Sequence, residues 1–237
     1  MKNYALLAVL WICGFSNAFS AEGINRKMII TTQEWAPYHF KLPSGEVGGE
    51  ATEVVKRVLD EMNIKYEITI YPWARAQAMV KDGEADAFFA ASWNEERSSY
   101  AVLSKVFVPQ KWYWFLNKDS NLDPNSREFQ KSEPVAVLLG TNMQKYLRDN
   151  NYIISGTPGD MDALVKMLDA KRIKAVLVND KVIEEYFANN KIDAGKYKKI
   201  LCRDMPLGMY FSKKFLHEHK WFLDKFNNVV TKHSLIK

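Results

Sequence analysis

Apolar residues along this chain follow two alternating rhythms. Lys27-Met28-Ile29-Ile30-Thr31-Thr32 is a β-branched run that predicts a strand, leading into Gln33-Glu34-Trp35-Ala36-Pro37-Tyr38, a loop held extended before its proline. From Gly48 onward Ala51, Val54, Val55, Val58, Leu59 and Met62 recur at helical spacing. Lys65 to Ile70 alternates as a strand, and Tyr71-Pro72-Trp73-Ala74-Arg75 opens a helix that ends near Gly83, with Pro72 in its first turn. Asp86 to Ala91 is a buried-strand pattern. Strand, helix, strand, helix, strand predicts an open α/β sheet with mostly parallel pairing.

The rhythm then restarts. Lys111 to Leu116 reads as a strand, Asn117 to Glu133 has loop composition, and Pro134 to Leu139 reads as another strand. Gly140-Thr141-Asn142 precedes a helix through Leu147. Met161, Leu164, Met167 and Leu168 mark a helix, Ala175 to Val178 a strand, and Val182, Ile183, Tyr186 and Phe187 a further helix. Pro206 to Phe211 is the last strand, and Phe215, Phe222, Phe226, Val229 and Val230 line a terminal helix. A second α/β unit is therefore expected, with no internal repeat of fixed period.

The start of the chain changes the picture of where the protein works. Met1-Lys2-Asn3 is followed by an apolar stretch from Tyr4 to Phe15 and small or polar residues through Ala21. An apolar segment of about a dozen residues is too short to span a membrane and has the form of a cleavable signal peptide, ending before Phe19 or Ala21. Cys13 follows Trp11 and Ile12, where a lipidated cysteine requires small residues, so no lipid anchor is expected. The chain has two cysteines, and loss of the leader leaves Cys202 alone. Export without an internal disulfide points to a bacterial envelope compartment, and Cys202, after Ile200-Leu201, reads as a small apolar residue. The net charge of +5 is spread over short clusters such as Lys196 to Lys199 and Lys213-Lys214. These predict solvated faces, not a nucleic-acid surface.

Candidate chemistry gathers at strand ends, where parallel α/β sheets bind their ligands. Glu34 and Trp35 follow the first strand, Ser92 to Arg97 the third, Gly140-Thr141-Asn142 and Asn179-Asp180 two strands of the second unit. Arg97, after a buried strand, is either a fork for a carboxylate or a surface arginine paired with Glu95 or Glu96. Thr141 and Asp180 have the alternative role of helix caps. Trp73 and Arg75 either enter a cleft or serve helix packing and the surface. Trp112 and Trp114 share a strand face that lines either the cleft mouth or the sheet core. His39, His217, His219 and His233 are scattered, so neither a metal site nor a cofactor is expected.

Taken together, Asp82 to Asp86 through Ser92 and Arg97 to Leu103-Ser104, the opening Thr32 to Phe40, the Gly140-Thr141 turn, and Ala175 to Asp180 resemble the bacterial extracellular solute-binding proteins of family 3. That resemblance implies a two-lobed type II periplasmic-binding-protein fold, each lobe a mostly parallel sheet flanked by helices. It divides the chain into a leader at 1–20, a first lobe at 21–107 and 209–237, and a second at 108–208. Hinges are implied near 107–111 and 205–209. Carried over residue by residue, it implies that Arg97 and Ser92 hold a ligand carboxylate and that Thr141 and Asn142 assist from a helix N-terminus. Asp180 would receive an ammonium and Trp35 form an aromatic wall. The segment from Asp86 to Arg97 is one residue shorter than the usual spacing, which sets Ser92 against Ala91 for its role. Large aromatics at Phe89 and Trp93, with Trp73 and Arg75, depart from receptors of small polar amino acids and point to a flat, cationic or larger ligand.

The resemblance thus implies a periplasmic receptor, expected as a monomer, whose partners are an amino acid or related small carboxylate and an inner-membrane ABC permease or sensor protein. Two other readings remain open. One is an enzyme on the same scaffold, a cyclohexadienyl dehydratase type with Glu34, Asp180 or His39 as general acid; the other is a stand-alone ligand sensor.

Overall fold

The computed structural model describes residues 23–236, so the expected leader and Cys13 lie outside the described residues. The first lobe comprises β1 (Met28–Thr32), the short hairpin β2 (Phe40–Lys41) and β3 (Val47–Gly48), α1 (Glu50–Glu61), β4 (Tyr66–Ile70), α2 (Trp73–Lys81), β5 (Ala87–Ala91), α3 (Glu95–Tyr100) and β6 (Ala101–Leu103). The second comprises β7 (Lys111–Asn117), α4 (Arg127–Ser132), β8 (Pro134–Val137), α5 (Asn142–Asp149), β9 (Ile153–Gly156), α6 (Met161–Asp169), β10 (Ala175–Asn179), α7 (Asp180–Asn189) and β11 (Tyr197–Asp204). The chain then returns to the first lobe with β12 (Gly208–Ser212), α8 (Lys213–Glu218) and α9 (Phe222–His233).

The strands form two five-stranded sheets, ordered β4-β1-β5-β12-β6 and β11-β7-β10-β8-β9. Pairing is more mixed than the strand and helix rhythm predicts. β1 runs parallel to β4 and β5, and β8 parallel to β9 and β10, whereas β12 and β7 are antiparallel to both of their neighbours. Antiparallel strands enter where the chain has just crossed from one lobe to the other, so no helical crossover returns it to the same end. The loop composition of 117–133 conceals α4, whose first turn Ser126 caps by accepting from the Phe129 N–H. The lysines at 196–199 are exposed but belong largely to β11, an edge strand paired along β7.

Every residue of β5, β10 and β12 is buried, which is why these strands read as continuous apolar runs and not as alternation. β7 alternates strictly: Trp112, Trp114 and Leu116 enter one cluster of the second lobe, and Phe115 with Tyr113 the other. In the first lobe the α1 stripe meets a phenylalanine group from β12, α8 and α9, with Phe211 edge-on to both Phe222 and Phe226. Cys202 sits half-buried at the margin of the second-lobe core, where burial raises its thiol pKa and disfavours the nucleophilic thiolate.

The lobes are joined by two antiparallel strands of backbone. The Leu207 N–H donates to the Val108 carbonyl at 2.8 Å, the Phe107 N–H to the Leu207 carbonyl at 2.9 Å, and the Met205 N–H to the Gln110 carbonyl at 2.9 Å. Their pairing makes the two connections one ribbon.

Candidate ligand-binding cleft

A cleft of about 320 Å³ lies where the carboxyl ends of β1, β5 and β8 converge on the crossing ribbon. Trp35, Trp73, Ser92, Arg97, Thr141 and Asn142 all line it. Arg97 is the chemical centre. Asn94 caps α3 by accepting from the Arg97 N–H at 3.2 Å, so the arginine occupies the first turn of a short helix directly after β5. Its side chain folds inward and is only 5% exposed.

Two residues of α2, one turn apart, hold that guanidinium. Arg97 Nε donates to Gln77 Oε1 at 2.8 Å, and the guanidinium carbon lies 5.1 Å from the centre of the Trp73 ring. Positions i and i+4 share a helix face, so Trp73 and Gln77 act together. Trp73 is itself braced edge-on against Phe88 at 5.4 Å. A second hydrogen bond runs from Arg97 Nη1 to the Ser92 carbonyl at 3.1 Å. Among the described residues no carboxylate forms a salt bridge with Arg97; Glu95 and Glu96 are exposed, and Glu96 acts on its charge only through space. Burial lowers the Arg97 pKa to about 10, leaving it charged at neutral pH.

The strand before it is kinked. Ala90 has φ 56°, and the β5 and β12 register slips so that Ala91 faces Gly208 while Phe89 faces Met209. Ala90 is the unpaired residue of a β-bulge, and the bulge turns Ala90, Ala91 and Ser92 into the same cleft where a regular strand would alternate them.

Across the cleft, α5 begins at Asn142. Thr141 caps it: its Oγ1 accepts from the Gln144 N–H at 3.2 Å and donates to the Leu138 carbonyl at 2.9 Å. Asn142 clasps the opposite lobe, donating from Nδ2 to Ser92 Oγ at 2.7 Å and accepting at Oδ1 from Asn94 Nδ2 at 2.6 Å. Trp35 forms another wall and packs on Tyr38 at 5.2 Å.

Arg75 and Asp180 are not brought into this cleft. Arg75 projects from the solvent face of α2 and pairs with Glu84 at 2.7 Å, since the turn that presents Trp73 inward points position 75 outward. Asp180 is the first residue of α7 and approaches the Lys111 N–H of the crossing ribbon at 3.4 Å. Asn179 caps α7 in its place, accepting from the Val182 N–H at 3.2 Å. The carboxylates that do line the cleft, Glu34 and Asp160, are exposed, and Asp160 also caps α6.

The remaining aromatics sort by burial. Trp112 lines the cleft, Trp114 is buried in the second-lobe core, Phe89 is buried edge-on to His39, and Trp93 is 61% exposed. Gln77 and Gln110 also shape the site and were not anticipated: Gln77 is signalled only by its spacing from Trp73, and Gln110 by nothing in the local sequence. Among the described residues no group of three or more histidine, cysteine, aspartate or glutamate side chains is placed to hold a metal.

Two mixed sheets, a paired double crossing and a cleft at the strand ends define a type II periplasmic-binding architecture. The chain belongs to the bacterial extracellular solute-binding proteins, family 3, whose profile matches residues 28–234. It is 23% identical over 201 residues to the arginine-binding extracellular protein ArtP of Bacillus subtilis (strain 168), covering 80% of this chain and 78% of that protein. Its fold is similar to the arginine-bound form of truncated ArgBP from T. maritima, with TM-score 0.68 and 16% identity over 88% of this chain and 96% of that one. It is also similar to a histidine kinase sensor domain with similarity to periplasmic binding proteins, with TM-score 0.72 and 15% identity over 87% and 90% of the two chains.

Proposed function

We propose that this protein is a periplasmic receptor that captures an amino acid or related small carboxylate between its lobes and delivers it to an ABC importer. The observation that carries the reading is Arg97: a permanently charged guanidinium, buried in the interlobe cleft and held by Trp73 and Gln77, without a carboxylate of its own. A buried cation left unpaired is costly, and a ligand carboxylate supplies the missing partner. Ser92, Thr141 and Asn142 stand beside it, with the N-terminus of α5 contributing a favourable field. Trp35 and Trp112 offer aromatic faces to the rest of the ligand. Membership of an extracellular solute-binding family supports export, and the arginine-binding relatives support a ligand of amino-acid size. Asp180, outside the cleft, has no ligand role in this reading.

Calorimetry with a panel of amino acids and small carboxylates tests the proposal. Arg97→Ala is expected to cost about 2 to 5 kcal/mol of affinity for whichever compound binds, by leaving its carboxylate unpaired. Undiminished binding by that variant would remove Arg97 from the site. The likeness to a histidine kinase sensor domain favours a second reading, in which the closed form signals to a membrane kinase. Co-purification of the ligand-loaded protein with a permease or with a sensor kinase separates the two.

A further inference from the structure

The second lobe carries a hollow of about 680 Å³ that has no part in the cleft. It is lined by Lys118 just after β7, Lys171 and Lys174 from the turn between α6 and β10, and Lys196 just before β11. All four lysines are exposed. Lys174 immediately precedes β10, and Asn117 at the end of β7 pairs with Tyr197 at the start of β11. The hollow therefore lies at the amino end of β10, the opposite pole of the sheet from the cleft. Segments far apart in sequence bring these lysines to one concave surface, and backbone fixes two of them: the Lys118 N–H donates to the Lys196 carbonyl at 2.9 Å. Lys198 adds a charge nearby, its Nζ donating to the Ser120 carbonyl of the lining at 3.5 Å.

Elsewhere lysines are answered by carboxylates, Lys145 by Asp149, Lys166 by Asp162 and Lys199 by Glu184. Among the described residues none of the four lysines of the hollow has such a partner. Two acids share the lining, Asp119 and Asp193, and Asp193 is engaged through Oδ1 in accepting from the Gly195 N–H at 2.8 Å. Four lysines against two aspartates leave a positive surface whose like charges repel until an anion enters. An ammonium is a compact point charge that suits phosphate oxygens, and several around one hollow suit an anion of high charge better than a single carboxylate. We propose that this hollow is a second, separate site that binds clustered phosphate groups, presented by a soluble polyphosphate or by the headgroups of an anionic membrane surface. Its place at the far pole leaves the cleft free, so the site stands or falls independently of the receptor reading above.

The test titrates full-length processed protein with sodium tripolyphosphate by calorimetry, and measures its flotation with vesicles of phosphatidylcholine alone and of phosphatidylcholine mixed with phosphatidylglycerol. Both are repeated on Lys118→Gln with Lys174→Gln, on Lys171→Gln with Lys196→Gln, and on Lys213→Gln with Lys220→Gln, which removes the same charge from exposed positions of the first lobe. The expected result is binding of tripolyphosphate, or of the vesicles containing phosphatidylglycerol and not of the others, that weakens with added salt. Each pair in the hollow should weaken it about 30-fold, and the distant pair far less. Tripolyphosphate alone supports a soluble anion and vesicles alone a membrane surface; either upholds the site. Circular dichroism checks that each variant is folded, and if one hollow pair is not, the other decides. Silence of both probes, hollow variants that bind as the wild type does, or an equal loss in the distant pair overturns the inference.

Discussion

Arg97 is expensive where it sits. A fall in pKa to about 10 through burial corresponds to a cost on the order of 3 kcal/mol for keeping the charge in the folded, ligand-free protein. Arg97→Met removes that charge while preserving much of the contact with Trp73, so the melting temperature of the ligand-free variant is expected to equal or exceed the wild type, with ligand-induced stabilisation abolished. A large drop in the ligand-free melting temperature would make Arg97 a structural residue. His39 is a buried group of opposite consequence. Desolvation lowers its pKa from 6.5 to about 4, against a contrary contribution from its hydrogen bond to the Gln33 carbonyl. Between those pH values the unfolded chain binds the proton and the folded one does not, so stability falls as the pH drops from about 6.5 to about 4. The loss amounts to about 3 kcal/mol, and denaturant titrations across that window should show it in the wild type and not in His39→Phe.

At the scale of elements, the site depends on turns that hold strand ends in place. Gly49, at the N-terminus of α1, has φ 111°, and a Cβ there would lie 2.5 Å from the Tyr38 carbonyl oxygen. Gly49→Ala is therefore expected to cost about 2 kcal/mol or more and to disturb the 35–39 turn that carries Trp35, measurable as a lower denaturation midpoint with weakened ligand binding. Long amphipathic helices and fully buried strands were legible from spacing because their periodicity is imposed by the core they face. The antiparallel placement of β7 and β12 was not, since it depends on which lobe the chain has just left. Nor was β11, whose exposed edge carries lysines. In the cleft, Arg97, Ser92, Thr141, Asn142, Trp35 and Trp73 were recognisable from their positions at strand and helix ends. Arg75 lies outside the cleft lining because helical positions two apart, such as 73 and 75, point to nearly opposite sides. Asp180 lies beside the ribbon because Asn179, one residue earlier, takes the capping position. Gln110 was invisible because only the fold brings it to the cleft and beneath the Trp112 indole N–H.

In the whole molecule the lobes touch at more than the cleft. Besides the Asn142 clasp, the Tyr38 hydroxyl donates to Asn179 Oδ1 at 3.3 Å, Lys181 pairs with Glu50, and Val182 of α7 joins the first-lobe core. Asn142→Ala deletes the two short cross-lobe hydrogen bonds, to Ser92 Oγ and from Asn94 Nδ2, along with longer ones to the Ser92 and Trp93 carbonyls; at about 1 kcal/mol for each short bond, this is a shift of roughly 30-fold toward an open form. Small-angle scattering of the ligand-free variant should report a larger radius of gyration than the wild type, and an unchanged radius would show that the clasp does not hold the lobes together.

The paired crossing ribbon has a kinetic consequence. Two connections hydrogen-bonded to each other bend as a unit, which restricts the lobes to swinging about that line, and a ligand seated against the ribbon has to wait for the swing before it can leave. Exchange is then timed by the molecule and not by diffusion: in stopped-flow mixing, tryptophan fluorescence should change at a rate that levels off with rising ligand concentration, at a ceiling common to every compound the cleft accepts.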